Sequence, residues 1–261
     1  MQFRERCRQT HALTQSLYFN RHFVRYDGMH VVDHNGVACI IHGSVLNMLV
    51  HSERRLGRTQ DERLDHINVL RSRWYEAHLV TSRIPRLEMQ NLADASGWSV
   101  LKGPIAKSAA TRHLSPFIET LALKYFDGPS ELHESVREVT KNLNKYYHIV
   151  YEAEMFMTDQ EILDMKDAIN TLGWHMQRLR VLCHQKGELH FQYSPKCHYF
   201  MHMWEQSSLI NVRSTQNYCE ESLVGRVARM WHSAARGPYQ KKIQATVLCK
   251  YLVLLSLILG L

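Results

Sequence analysis

Three His, two Asp and an Asn-Gly break interrupt an otherwise apolar run, "VRYDGMHVVDHNGVACIIHGSVLNMLV", from Val24 to Val50. Asp27 and His30 stand three apart, with Asp33 close behind. Carboxylates grouped with an imidazole can hold a divalent cation or relay a proton. A second concentration, "CHQKGELHFQYSPKCHYFMHMWEQ", holds Cys197, His198 and His202. Side chains four apart on a helix emerge on one face, so His198 and His202 could share a zinc ion with Cys197. The alternative is a set of satisfied buried histidines and a surface His pair, because no Cys-x-x-Cys pair occurs and no Glu follows the first His as in a zinc-protease helix.

The third segment is "NVRSTQNYCEESLVGRVARMWHSAARGPYQKKIQ". Glu220 and Glu221 fall in the first turn of an expected helix, where carboxylates complement exposed amides. Beyond them Arg226, Arg229, Arg236, Lys241 and Lys242 are interleaved with Trp231 and Tyr239, a pattern suited to holding phosphates and stacking bases, or to a solvated helix face. The segments contain no Gly-x-Ser-x-Gly elbow, no phosphate loop ending in Lys-Ser/Thr and no dinucleotide fingerprint, which removes support for serine hydrolase, kinase, nucleotide hydrolase and dehydrogenase readings.

Around these segments the 261-residue chain has 45% hydrophobic residues, 22% charged residues, 12 Gly and 6 Pro, which is enough for a real core and too few breakers for short helices. The net charge of +7 makes polyanions plausible partners. The six Cys have no paired spacing, as expected of reduced thiols inside a cell. The N-terminus is too polar for a secretory signal. The uncharged stretch Tyr251 to Leu261 is short for a bilayer span, which makes a docked terminal helix the expectation and a tail anchor the weaker alternative.

The expected elements are mainly α, with at most a small β element. Helices are expected over 37–53, 60–78, 104–113, 116–126, 131–155, 159–185, 195–209, 218–235 and 239–258, with short extended pieces around Asp27-Gly28 and at 188–193. Thr59 to Glu62 and Thr158 to Glu161 are capping boxes, and Ser115 with Pro116 marks an N-cap and first helical residue. The 131–155 and 159–185 helices form an antiparallel hairpin through facing stripes that include Tyr146, Tyr147 and Val150 on one side and Met165, Ile169 and Leu172 on the other. One domain over 1–261 is expected, with a subdivision into 1–80 and 104–258 as the alternative across the irregular 80–104 connection.

Taken in order, these segments resemble transposases of the CACTA and Kyakuja-Dileera-Zisupton kinds. "DGMHVVDHNGV" is similar to the family's Asp-x-x-His block with its Gly-Val turn and apolar helix, and Pro195, Lys196, His198 and His202 match its Pro-Lys-x-His-x-x-x-His helix. "STQNYCEESLVGRVAR" is similar to the helix start that follows, with Glu221 matching the acidic residue. The resemblance spans about residues 20–245 and implies an RNase H-like core interrupted by an all-helical insertion, in which carboxylates hold two Mg2+ about 4 Å apart for DNA cleavage and strand transfer. It assigns Asp27 and His30 to the Asp-x-x-His role, Glu221 to the last acidic ligand and Asp33 to a neighbouring carboxylate. The family's earlier catalytic carboxylates lie on upstream strands, whereas 26 residues precede Asp27 here. The expectation is therefore a C-terminal portion or relic, intracellular and nuclear if DNA-associated, with an incomplete metal site and no activity alone. The alternatives are a non-enzymatic helical interaction or scaffold protein, or a zinc-stabilised helical protein.

Overall fold

The structure, a computed structural model, describes residues 25–102 and 107–216. All belong to the first of the chain's two units, Met1–Gln216; the second, Asn217–Leu261, lies outside the described residues, as do the expected helices at 218–235 and 239–258. The described residues are mainly helical and contain no strand, only an isolated antiparallel bridge between Ala93 and Ser99.

Helix α1, Val37–Ser52, is the axis of the core, and every residue from Val37 to Val50 is buried. A helix that is apolar on all sides is stable only when other elements surround it. Here α2 (Gln60–Ala77), α3 (Ser108–Tyr125) and α4 (Glu131–Glu152) pack on it. Its C-terminal carbonyls are closed by Arg63 of α2, whose Nη1 donates to Val50 and His51 at 2.9 Å while Nε and Nη2 reach the Gly57 and Arg58 carbonyls. The Thr59–Glu62 capping box starts α2 as expected.

The polar side chains of α1 tie down the irregular 80–102 segment. Asn47 donates to the Leu92 carbonyl and Ser44 to that of Ser99. The Leu101 N–H bonds to the Cys39 carbonyl at 2.9 Å. This crossing requires glycine at position 43, because a Cβ there would stand 2.3 Å from the Leu101 nitrogen. Ile84, Leu87, Leu92 and Leu101 are buried in the same core as the helices.

Several sequence expectations change. Residues 104–126 were expected to hold two helices; α3 runs through Pro116 without a break, with Leu114, Phe117, Ile118 and Leu121 keeping one continuous buried face. The Ser115 hydroxyl, expected as a cap, meets buried His42 Nε2 at 2.8 Å instead. Residues 29–33 form a single wide π-helical turn in place of an extended segment, closed by the His34 N–H on the Met29 carbonyl at 2.8 Å and started by Asp27, which collects the Met29 N–H on its carboxylate and the Val31 N–H on its carbonyl, both at 2.9 Å. Residues 188–193 are extended but have no partner strand; the Ser44 hydroxyl receives the Phe191 N–H, and Phe191 takes a left-handed φ of 53°.

The hairpin forms from α4 and α5 (Asp159–His184), with Tyr146, Tyr147 and Val150 facing Met165, Ile169 and Leu172 in the core. Its connection is longer than expected because α4 stops at Glu152, where Asn211 Nδ2 takes up the carbonyls of Val150, Ala153 and Glu154. The expected 195–209 helix is broken at His202 into α6 (Pro195–Met201) and α7 (Met203–Ser207).

Candidate functional site

The π-helical turn presents Asp27 and His30 together. Asp27 Oδ2 pairs with His30 Nδ1, with the carboxylate 16% and the imidazole 38% exposed. The spacing of three delivers this contact, since one turn separates the side chains. Met29, Val31, Val32 and Asp33 point inward and anchor the turn.

Two remote segments close on it. Lys196, the second residue of α6, donates from Nζ to the His34 carbonyl at 2.7 Å, across 162 positions of sequence. Burial lowers the Lys196 pKa, opposed by the negative charge of Asp27. Tyr199 stacks on Tyr26 with ring centroids 5.1 Å apart. From the third segment, Thr215 Oγ1 donates to the Tyr26 carbonyl at 3.2 Å, across 189 positions. Gly28 leaves room for this closure, because a Cβ there would meet Met203 Cε at 3.2 Å and the Gln216 side chain at 3.4 Å.

Behind the turn, Asp33 is fully buried and accepts a hydrogen bond from the Tyr147 hydroxyl. Its backbone carbonyl receives the Cys39 thiol at 3.2 Å. Desolvation pushes the Cys39 thiol up to about 11 and the Cys183 thiol up to about 12, and it raises Cys197 as well, so none of these three buried thiols is disposed to act as a nucleophile. Beside Asp33, Tyr151 lies between two guanidinium groups, with Arg112 4.3 Å and Arg213 5.2 Å from its ring centroid. The Tyr151 hydroxyl receives a hydrogen bond from Arg112 and donates to Gln216 Oε1 at 2.7 Å.

Of the expected zinc ligands, His198 and His202 do meet, their ring centroids 4.8 Å apart, and His202 Nδ1 bonds Glu205 at 2.9 Å. Cys197 is turned into the core, its thiol directed at the Gln192 carbonyl. Among the described residues, no group of three His, Cys, Asp or Glu side chains is arranged to hold a metal ion. Glu221 lies outside the described residues, as do Arg226, Arg229, Trp231, Arg236, Lys241 and Lys242.

Sequence reasoning missed the Tyr147–Asp33 and Arg112–Tyr151–Gln216 links, whose partners stand 39 to 114 positions apart. The one signal available was the Tyr146-Tyr147-Tyr151 stripe, which reads as core. Comparison of the chain with family models, with curated proteins and with solved structures finds no match. No helix among the described residues is long and apolar enough to cross a membrane.

Proposed function

We propose that this chain is a transposase-like fragment or relic that associates with nucleic acid, its divalent-metal carboxylate site incomplete and inactive alone. The observation that carries this reading is the meeting of the Asp27–His30 turn, the Lys196 helix and the Thr215 segment, which are remote in sequence and are the segments whose order resembles that family's blocks. The described carboxylates do not by themselves fit a two-metal centre. Asp27 is engaged with His30 and the Met29 N–H, and Asp33 is buried against Tyr147. No cleavage step is therefore assigned to them. In this reading Asp27 and Glu221 are the carboxylates offered to Mg2+, and the run from Arg226 through Trp231 to Lys242 contacts DNA, which would bring the chain to the nucleus.

The decisive measurement is fluorescence anisotropy of labelled duplex DNA against the full chain. Binding at low salt that weakens at least tenfold between about 50 and about 200 mM salt is expected, because each neutralised phosphate releases counterions. Arg226→Ala with Arg229→Ala should reduce both the affinity and the salt slope. Absence of binding at low salt would overturn the reading. Mg2+-dependent cleavage lost in both Asp27→Ala and Glu221→Ala would instead show the metal site to be complete.

The internal pairing of Asp27 and Asp33 also favours a second reading, a helical interaction or scaffold protein without a catalytic site. That reading expects no DNA binding and no effect of Asp27→Ala on any activity. A zinc-stabilised protein, the third reading, requires stoichiometric zinc in elemental analysis of the purified chain.

A further inference from the structure

A groove of about 670 Å3 lies between the C-terminal half of α5 and the 93–99 turn. From α5 it receives Gln177, Arg180, Val181 and His184, whose spacing of i, i+3, i+4 and i+7 is that of one helix face, with Gln185 at the helix's C-cap. Opposite stand two aromatic side chains, Trp98 and Tyr193, with Leu189 between helix and turn.

Both walls are held by the fold. Asp94 Oδ1 receives the N–H groups of Ser96 and Trp98, fixing the turn that presents the indole. The Ala93–Ser99 bridge closes that turn, and the Ser99 N–H bonds the Leu189 carbonyl at 2.8 Å. On the helix side, α5 is anchored through buried Met176, Leu179 and Cys183.

The charge in the groove is positive and uncompensated. No Asp or Glu lines it. Arg180 sits 5.9 Å from the Trp98 ring centroid and has no carboxylate partner among the described residues, unlike Arg178 nearby, which is paired with Glu131. The flanking Glu188 is directed at His190, 3.8 Å away. Cations also suit the carbonyl end of a helix, so charge alone does not choose an occupant. The combination does: aromatic faces stack on a planar heterocycle, carboxamides offer donors and acceptors to its edge, and a guanidinium holds a phosphate.

We propose that this groove binds a nucleotide, free or as one unit of a single strand, with the base against Trp98 and the phosphate toward Arg180. The lining contains none of the residues matched to the family's blocks, so the site stands independently of the reading above. The test uses the full chain, titrated with adenosine monophosphate and with an oligodeoxynucleotide of about ten units, within the site size usual for single-strand binders. Saturable quenching of tryptophan fluorescence is expected, lost in Trp98→Phe, with affinity about tenfold weaker in Arg180→Gln. Arg180 is exposed, so its substitution leaves the fold intact, and an unchanged melting curve verifies this. If only the mononucleotide or only the strand behaves this way, the site stands and its natural ligand is distinguished. If neither quenches, if Arg180→Gln leaves affinity unchanged, or if polyglutamate displaces the nucleotide equally well, the site is overturned. With no mononucleotide binding, strand binding unaffected by both substitutions would overturn it while leaving the DNA-associated reading in place, and failure of the mononucleotide, the strand and duplex DNA alike would remove both.

Discussion

His42 lies at the centre of α1, fully buried, with Nε2 on the Ser115 hydroxyl and, among the described residues, no hydrogen-bond partner for Nδ1. Desolvation pulls its pKa from 6.5 down to about 3, so the folded chain holds it neutral. The unfolded chain binds a proton there below about pH 6.5, and the folded chain does so only near pH 3. Folding stability contributed at this site is therefore present above pH 6.5 and lost as the pH falls through that window, by roughly 1.4 kcal/mol per unit. Urea unfolding of His42→Gln should show a drop between pH 7 and pH 5 that is smaller than that of the wild type by about 2 kcal/mol. Equal drops in the two proteins would refute the assignment. The apolar run around His42 marks it as buried, but the hydroxyl that meets it, Ser115, stands 73 positions away and is not legible locally.

Helices were legible wherever the signal is local. The Thr59–Glu62 and Thr158–Glu161 boxes begin α2 and α5, and the apolar run from Val37 becomes the buried axis. Pro116 misleads because its local preference is for a first helical position, while α3 extends a full two turns ahead of it to bury Ala110, Thr111 and Leu114. Tertiary packing outweighs the ring's loss of one hydrogen bond to the preceding turn. Pro116 is exposed, so Pro116→Ala should restore that bond without disturbing the core and stabilise the chain by about 1–2 kcal/mol, read as a higher urea midpoint at unchanged slope. A lower midpoint would mean that the ring itself is needed where it sits.

One hydrophobic core runs from Val31 to Val212 and draws on α1 through α7 and the 84–101 segment alike. The 80–102 connection, irregular as expected, is fastened by Asn68, whose side chain both donates to and accepts from the Leu87 backbone, and by Arg71 on the Pro85 carbonyl. A fragment starting at residue 104 leaves α3 and α4 without the α1 face they cover. Such a fragment should lack a cooperative urea transition, whereas the full chain should unfold its described core in one step by circular dichroism and tryptophan fluorescence together. A cooperative fragment would establish an independent helical body. At this same scale the candidate site takes shape, since its three segments are joined by contacts that span most of the chain.

By itself the sequence determined the helical class, most helix starts, the hairpin and the burial of α1, because periodicity, caps and apolar runs act over a few residues. The contact of Asp27 with His30 was not among these, because it depends on a helical turn where an extended piece was expected. Only the tertiary structure decided that Asp33 turns inward to Tyr147, that Cys197 parts from His198, and that Lys196 and Thr215 close on the Asp27 turn. Those outcomes depend on which side chain of a distant element stands within hydrogen-bond reach, and desolvation inside a shared core makes that choice.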